Sequence, residues 1–164
     1  MTHTLSRDFD DLAVGMRFST RGRTITESDV ASFAALTGDT HPQHTDAVWA
    51  ATSPFGRRIA HGLLVVSYAV GLLELDPERV IALRRVRDAT FKRPVALGDT
   101  IHADCRVESL TDVDSASGLA GVRADVRNQH GRLVVRLALD VLWRRGDSPA
   151  PVAPDALELV GLPL

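Results

Sequence analysis

Residues 38 to 44 read GDTHPQH, and two of the residue types are those of proton-transfer chemistry. Asp39 supplies a carboxylate and His44 an imidazole, a minimal pair that can take a proton from water on one side and deliver one on the other. Their spacing would put them on awkward faces of a helix, so a loop turned by Pro42 has to bring both tips to one point. Carbonyl chemistry needs a third feature, a donor for a developing oxyanion. The start of an apolar helix offers unpaired backbone N–H groups and a positive dipole end, and His61-Gly62 stands at such a start.

The same residues have plainer readings. Asp39 after Gly38 could form an Asx-turn or a cap, and His44 alone could be a hydrogen-bonded loop histidine. His41, His44, His61 and Cys105 could be gathered as a zinc site, but no ligand pair has the paired spacing of structural zinc motifs, so no metal is expected. His61 reads as a helix-cap or supporting residue. His3, His102 and His130 fall on a tail, a strand and a turn, and Asp99 in LGDT reads as turn chemistry. Cys105 alternates with apolar neighbours as a small buried hydrophobe.

The elements that must position these groups follow from pattern. Residues 16 to 24 suit a short strand leading to Thr26, an N-cap with Asp29 three residues on, as in a capping box. Val30, Phe33, Ala34 and Leu36 supply a helical stripe before Gly38 stops the helix. From Gly38 to Ala60 the chain is broken by Pro42 and Pro54, with a short helix expected at Asp46 to Ala51 behind Thr45. Long excursions of this kind in compact domains are usually functional. Residues 61 to 75, HGLLVVSYAVGLLEL, are apolar on almost every face and predict a central helix surrounded by protein.

Strands are expected at 80 to 91, 99 to 109, 119 to 128 and 132 to 144, divided by turn signals. In the last, Leu133, Val135, Leu137, Leu139, Val141 and Trp143 share one face, and Arg136, Asp140 and Arg144 share the other. A meander of antiparallel strands preceded by one apolar helix gives an α+β class, a sheet wrapped around that helix.

Composition sets the outer bounds. At 164 residues, with 45% apolar and 24% charged side chains, the chain suits one globular domain and neither disorder nor a coiled coil. We expect a single domain over residues 1–148 and a Pro-rich tail over 149–164. A net charge of −2 with scattered arginines argues against nucleic acid. One cysteine excludes an intramolecular disulfide and fits a reducing, cytoplasmic interior. The N-terminus has no signal-type apolar region, and the longest apolar run, residues 62 to 73, is too short to cross a bilayer, so no membrane association is expected.

The run FAALTGDTHPQHTDAVWAATSPFGRRIAHGLL, with FKRPVALGDTI downstream, resembles the signature of MaoC-like dehydratases, the (R)-specific enoyl-CoA hydratases of the hotdog superfamily. The resemblance covers roughly residues 8 to 145. It implies a hotdog fold, a curved antiparallel sheet around a long central helix, usually dimerised with the acyl chain entering at the subunit interface. Asp39 and His44 match the family's catalytic dyad, and Gly62 matches the glycine whose N–H receives the thioester oxygen. The implied reaction is reversible syn addition of water to a trans-2-enoyl-CoA or acyl-carrier-protein thioester, as in fatty acid metabolism, with no metal or redox cofactor. His41, Pro42, His61 and Ser67 are candidates for substrate-binding or supporting positions.

Two departures from the family pattern stand out. His41 replaces a usual asparagine, and Val70 stands where some members carry a serine, with Ser67 about one turn earlier as a substitute. Arg57, Arg58, Arg84, Arg85, Arg87 and Arg93 are candidates for contacts to CoA phosphates, none singled out. The alternatives are a hotdog thioesterase, which would attack the carbonyl, and a non-catalytic acyl-binding subunit of a hetero-oligomeric dehydratase.

Overall fold

The computed structural model describes residues 4–146. The expected Pro-rich tail lies outside the described residues. Six strands form one antiparallel sheet: β1 (Arg17–Ser19), β2 (Arg23–Thr24), β3 (Val80–Phe91), β4 (Thr100–Asp112), β5 (Ser117–Asn128) and β6 (Leu133–Arg144). The order is β1-β4-β5-β6-β3, with β2 also paired to β4. Helices α1 (Glu27–Thr37), α2 (Pro42–Thr45), α3 (Ala47–Thr52) and α4 (Gly62–Gly71) precede the four long strands.

The sheet curves because its ladders slip. Register shifts interrupt β3 against β6 at three places, and one each interrupts β4 against β5 and β5 against β6. Each shift bends the bulged strand and increases its twist. Asp88 takes a positive φ of 53° at the last of the β3 shifts.

Helix α4 lies in the resulting hollow. Leu64, Val65 and Ala69 of α4 join one core with Ile101 and Ala103 of β4, Ala124 and Val126 of β5, and Leu137 and Leu139 of β6. The alanines keep the sheet surface shallow enough to seat a helix. Each fully buried Leu or Val contributes about 1.5–3 kcal/mol by leaving water. Trp143, 1% exposed, donates its indole N–H to the Arg7 carbonyl at 2.8 Å and ties the N-terminal segment to β6.

Three local expectations need correction. Helix α4 is not surrounded on all sides: Leu63 is 64% exposed, and Ser67 and Gly71 continue that open stripe at helical spacing. The polar face of β6 is polar only in part, because Val134, Ala138 and Leu142 share it and are buried, as is Asp140. Asp140 survives burial by accepting two hydrogen bonds from the Arg87 guanidinium, at 2.9 and 2.7 Å. The cap of α3 is Asp46, not Thr45, its Oδ1 accepting from the Val48 and Trp49 N–H groups.

The edge strand β3 carries an exposed apolar row of Ile81, Leu83, Val86 and Phe91. No helix among the described residues is long and apolar enough to cross a membrane.

Candidate active site

Helix α1 delivers the chain to the site. Its capping box forms as expected: the Asp29 N–H donates to Thr26 Oγ1 and the Thr26 N–H to Asp29 Oδ2. At the other end Gly38 adopts φ 76°, a left-handed conformation that suits glycine and turns the chain sharply. Asp39 follows in the turn, with Oδ1 accepting from the His41 N–H at 3.3 Å.

The loop expected around Pro42 contains a helical turn. Pro42 starts α2, where its fixed φ suits the first position and its missing N–H costs nothing. His41 is the N-cap: its Nδ1 accepts from the Gln43 N–H at 3.2 Å. The imidazole thus caps α2, while also meeting the Trp49 ring edge-on at 5.4 Å. One turn on, His44 is buried, 4% exposed.

Hydrogen bonding fixes both buried tautomers. His44 Nδ1 lies 2.8 Å from the Ile59 carbonyl, which can only accept, so Nδ1 carries the proton and Nε2 is left as an acceptor. Gln43 Nε2 lies 3.0 Å from that nitrogen and donates to it. By the same logic His61 Nε2 donates to the Asp39 carbonyl at 2.9 Å. His61 Nδ1 is then a buried acceptor with no partner. His61 caps α4 by position alone, since its side chain makes no cap hydrogen bond.

One Asp39 oxygen and one ring nitrogen each from His44 and His61 lie within 4.8 Å of one another. No direct hydrogen bond joins the Asp39 carboxylate to either ring among the described residues. A single water can bridge such a gap. Burial pulls the His44 pKa below its ordinary value, and His61 and His41 act in the same direction, while the Ile59 carbonyl and Asp39 oppose them. His44 is therefore neutral at pH 7 and able to accept a proton.

These groups line a cavity of about 490 Å³, walled elsewhere by Phe33, Phe55, Leu63, Phe91 and Val135. Gly62 lines it too, as the first residue of α4, where backbone N–H groups have no partner within the helix. A Cβ on Gly62 would fall 2.6 Å from the Phe91 ring, so the aromatic wall sits directly on the glycine.

The structure therefore brings Asp39, His44, His61 and Gly62 to one cavity. His41 and Pro42 stand behind it, holding α2. Ser67 is corrected: it lies on the exposed stripe of α4 and does not line the cavity, nor does Val70. The sequence does not mark Gln43 or Phe91 as lining residues, and Arg93, a candidate there only for contacts to CoA phosphates, lines the cavity with them. All three fall inside the two recognised runs, but nothing in their types marks which way they point.

The sequence pattern of the MaoC like domain matches residues 11–128. Protein MaoC of Klebsiella aerogenes is 38% identical over 60% of this chain, which spans only 30% of that protein's length. The (R)-specific enoyl-CoA hydratase of Rhodospirillum rubrum is 36% identical over 62% of this chain and 70% of its own. Among solved structures, a protein described as a monoamine oxidase regulatory protein from Archaeoglobus fulgidus superposes with TM-score 0.80 at 37% identity, over 85% of this chain and 95% of that one. A Mycobacterium tuberculosis protein with a double hotdog fold superposes with TM-score 0.75 at 25% identity, over 93% of this chain and 54% of that one.

Proposed function

The chain belongs to the family of MaoC-like domains, and from that premise we propose that it is an (R)-specific enoyl thioester hydratase, working reversibly as a 3-hydroxyacyl thioester dehydratase. The observation that carries this reading is the approach of the Asp39 carboxylate and the His44 ring to within 4.8 Å, in the cavity that Gly62 also lines.

In the hydration direction a water sits between Asp39 and His44. As its oxygen bonds to C3 of the trans-2-enoyl thioester, the dyad takes one water proton and a proton is delivered to C2 on the same face. The π electrons move through C2 toward the thioester carbonyl. Its oxygen, gaining charge, accepts from the Gly62 N–H at the positive end of α4. His44 Nε2 suits the base role because its other nitrogen is committed to the Ile59 carbonyl, and the water takes the place of the Gln43 amide that donates to Nε2. The reaction calls for no metal and no redox cofactor.

The apolar row on edge strand β3 supports a homodimer joined through that edge, which would cover Ile81, Leu83 and Val86. We assign the domain to residues 1–148 and the site to the dyad and Gly62, with His61, His41 and Pro42 as positioning residues.

The test is loss of the conjugated absorbance of crotonyl-CoA on mixing with the protein, beside a free-thiol assay. Loss without thiol release, abolished by Asp39→Ala, supports the hydratase. Thiol release would make it a thioesterase. A folded protein silent on every enoyl thioester, CoA or carrier-bound, would place it among non-catalytic subunits.

A further inference from the structure

Gln43 lies against the base of the dyad. Its carboxamide Nε2 donates to His44 Nε2 at 3.0 Å, on the lone pair that has to take the proton of the reacting water. The hydroxyl of Thr37, also on the cavity wall, is committed to the Phe33 carbonyl at 2.7 Å. Among the described residues the Gln43 carboxamide makes only its bond to His44, so its second N–H and its carbonyl oxygen remain open to a guest in the cavity.

The backbone of Gln43 is held while its side chain is not. Its N–H donates to His41 Nδ1 at 3.2 Å, and its carbonyl accepts from the Ile59 N–H at 3.1 Å. The Ile59 carbonyl in turn accepts from His44 Nδ1 at 2.8 Å, so one residue grips Gln43 and His44 together. The Gln43 side chain is long, rotatable and half-buried beside the cavity, with a single contact at its tip. A water that takes the lone pair of His44 Nε2 displaces the amide nitrogen by about one hydrogen-bond length, ~3 Å, and thereby arrives within its reach.

We propose that Gln43 is a third catalytic residue, whose carboxamide rests on His44 Nε2 in the free enzyme and moves onto the oxygen of the reacting water when that water enters. The proposal rests on the enoyl-thioester reading above. A water molecule offers two hydrogens and two lone pairs. Asp39 and His44 accept the hydrogens and the Gln43 N–H donates to one lone pair, so the lone pair that is left points at C3. In the dehydration direction the same N–H donates to the hydroxyl oxygen as its bond to C3 breaks, and stabilises the charge that oxygen gains. The amide keeps its own protons throughout. An amide that merely covered the base would do the opposite and slow the reaction by competing with water.

The experiment measures hydration of crotonyl-CoA by wild type, Gln43→Met and Gln43→Leu, beside melting curves. Methionine keeps the length of the side chain without a donor, and leucine removes the donor with a shorter one, so a variant that fails to fold leaves the other to decide. The expected result is a fall in kcat of about tenfold with KM within about twofold, because the lost contact is to the water and not to the thioester. NMR titration separates this from a merely structural role. In Gln43→Met the neutral His44 ring loses its donor and should protonate at a higher pH than in wild type, while His61, Asp39 and His41, the titratable groups that act on it, are the same in both proteins. A rise in kcat/KM in the variants would show an amide that only covers the base. That result, an unchanged kcat, or a His44 titration that does not move overturns the proposal while wild-type activity leaves the functional reading standing. A wild type that hydrates no enoyl thioester overturns that reading, and the proposal with it.

Discussion

The imidazoles of His44 and His61 stack with ring centroids 3.8 Å apart and planes inclined by 26°. Each gives one nitrogen to a backbone carbonyl, His44 to Ile59 and His61 to Asp39. Burial disfavours a charge on His44, and the stacked ring of His61 acts in the same direction. His44 Nε2 then accepts from the Gln43 amide, and His61 Nδ1 is the ring nitrogen without a partner. His61 also grips the backbone of Asp39, so the residue that precedes Gly62 positions the Asp39 carboxylate.

The pH profile follows from this pairing. His44 protonates only at a pH below the ordinary histidine value of about 6.5, first because it is buried and then because His61 lies against it. The acid limb of kcat/KM should accordingly fall below that pH, and a rate profile over pH 4 to 9 measures it. A limb at or above 6.5 would remove His44 as the base. The sign for stability is the same: the unfolded chain binds this proton more readily, so stability contributed by neutral His44 is complete above about pH 6.5 and lost as pH falls toward the folded value.

Asp39→Asn should reduce turnover by about 10²-fold or more while leaving the fold intact. Asp39 is exposed, and the side-chain bond it makes is a long 3.3 Å contact to the His41 N–H, which an amide oxygen can also accept. Steady-state kinetics on crotonyl-CoA, beside a melting curve, tests both halves. Near-normal kcat with an unchanged Tm would take Asp39 out of the mechanism.

Much of this was legible from residue types. Thr26 with Asp29 announced the start of α1, Gly38 its end, and the alternation from Leu133 to Trp143 a strand. What escaped was whatever depends on tertiary contact. The helix at Pro42 reads as a loop in the sequence because four residues carry no period. Ser67 is a candidate on helical spacing alone, and only the packing of α4 on the sheet shows that its stripe with Leu63 faces outward. Gln43 carries no motif signal of its own, although its amide lies on His44 Nε2.

Asp39, His44 and His61 are close enough to hold a metal ion, with His44 Nε2 and His61 Nδ1 as the nitrogens left open by the carbonyl bonds. The proposed chemistry needs only water there. Exhaustive dialysis against a chelator should leave crotonyl-CoA hydration unchanged, and added Zn²⁺ should inhibit by occupying the place of the water. Loss of activity on chelation, restored by Zn²⁺, would instead make the three residues a metal site.

Gly62→Ala tests the tightness of the oxyanion corner. The new methyl would stand 2.6 Å from the Phe91 ring, which is 52% exposed and able to swing away. The expected outcome is a modest fall in Tm and a larger fall in kcat/KM, on the order of tenfold, because a displaced ring reshapes the cavity. Pairing it with Phe91→Ala removes the clash and should recover Tm. Full activity in the single variant would show that the corner tolerates a side chain and that the thioester lies elsewhere.

His41 offers the last discrimination, because one bond fixes its role. Nδ1 accepts from the Gln43 N–H at 3.2 Å and thereby caps α2, the turn that carries His44 into the cavity. His41→Asn keeps an N-cap acceptor, and we expect activity and Tm close to wild type. His41→Ala removes the acceptor and should cost about 1 kcal/mol of stability, with kcat reduced. Melting curves and steady-state kinetics of the three proteins measure this. If the asparagine variant loses activity as fully as alanine, the imidazole itself, through Trp49 or the substrate, does something a cap does not.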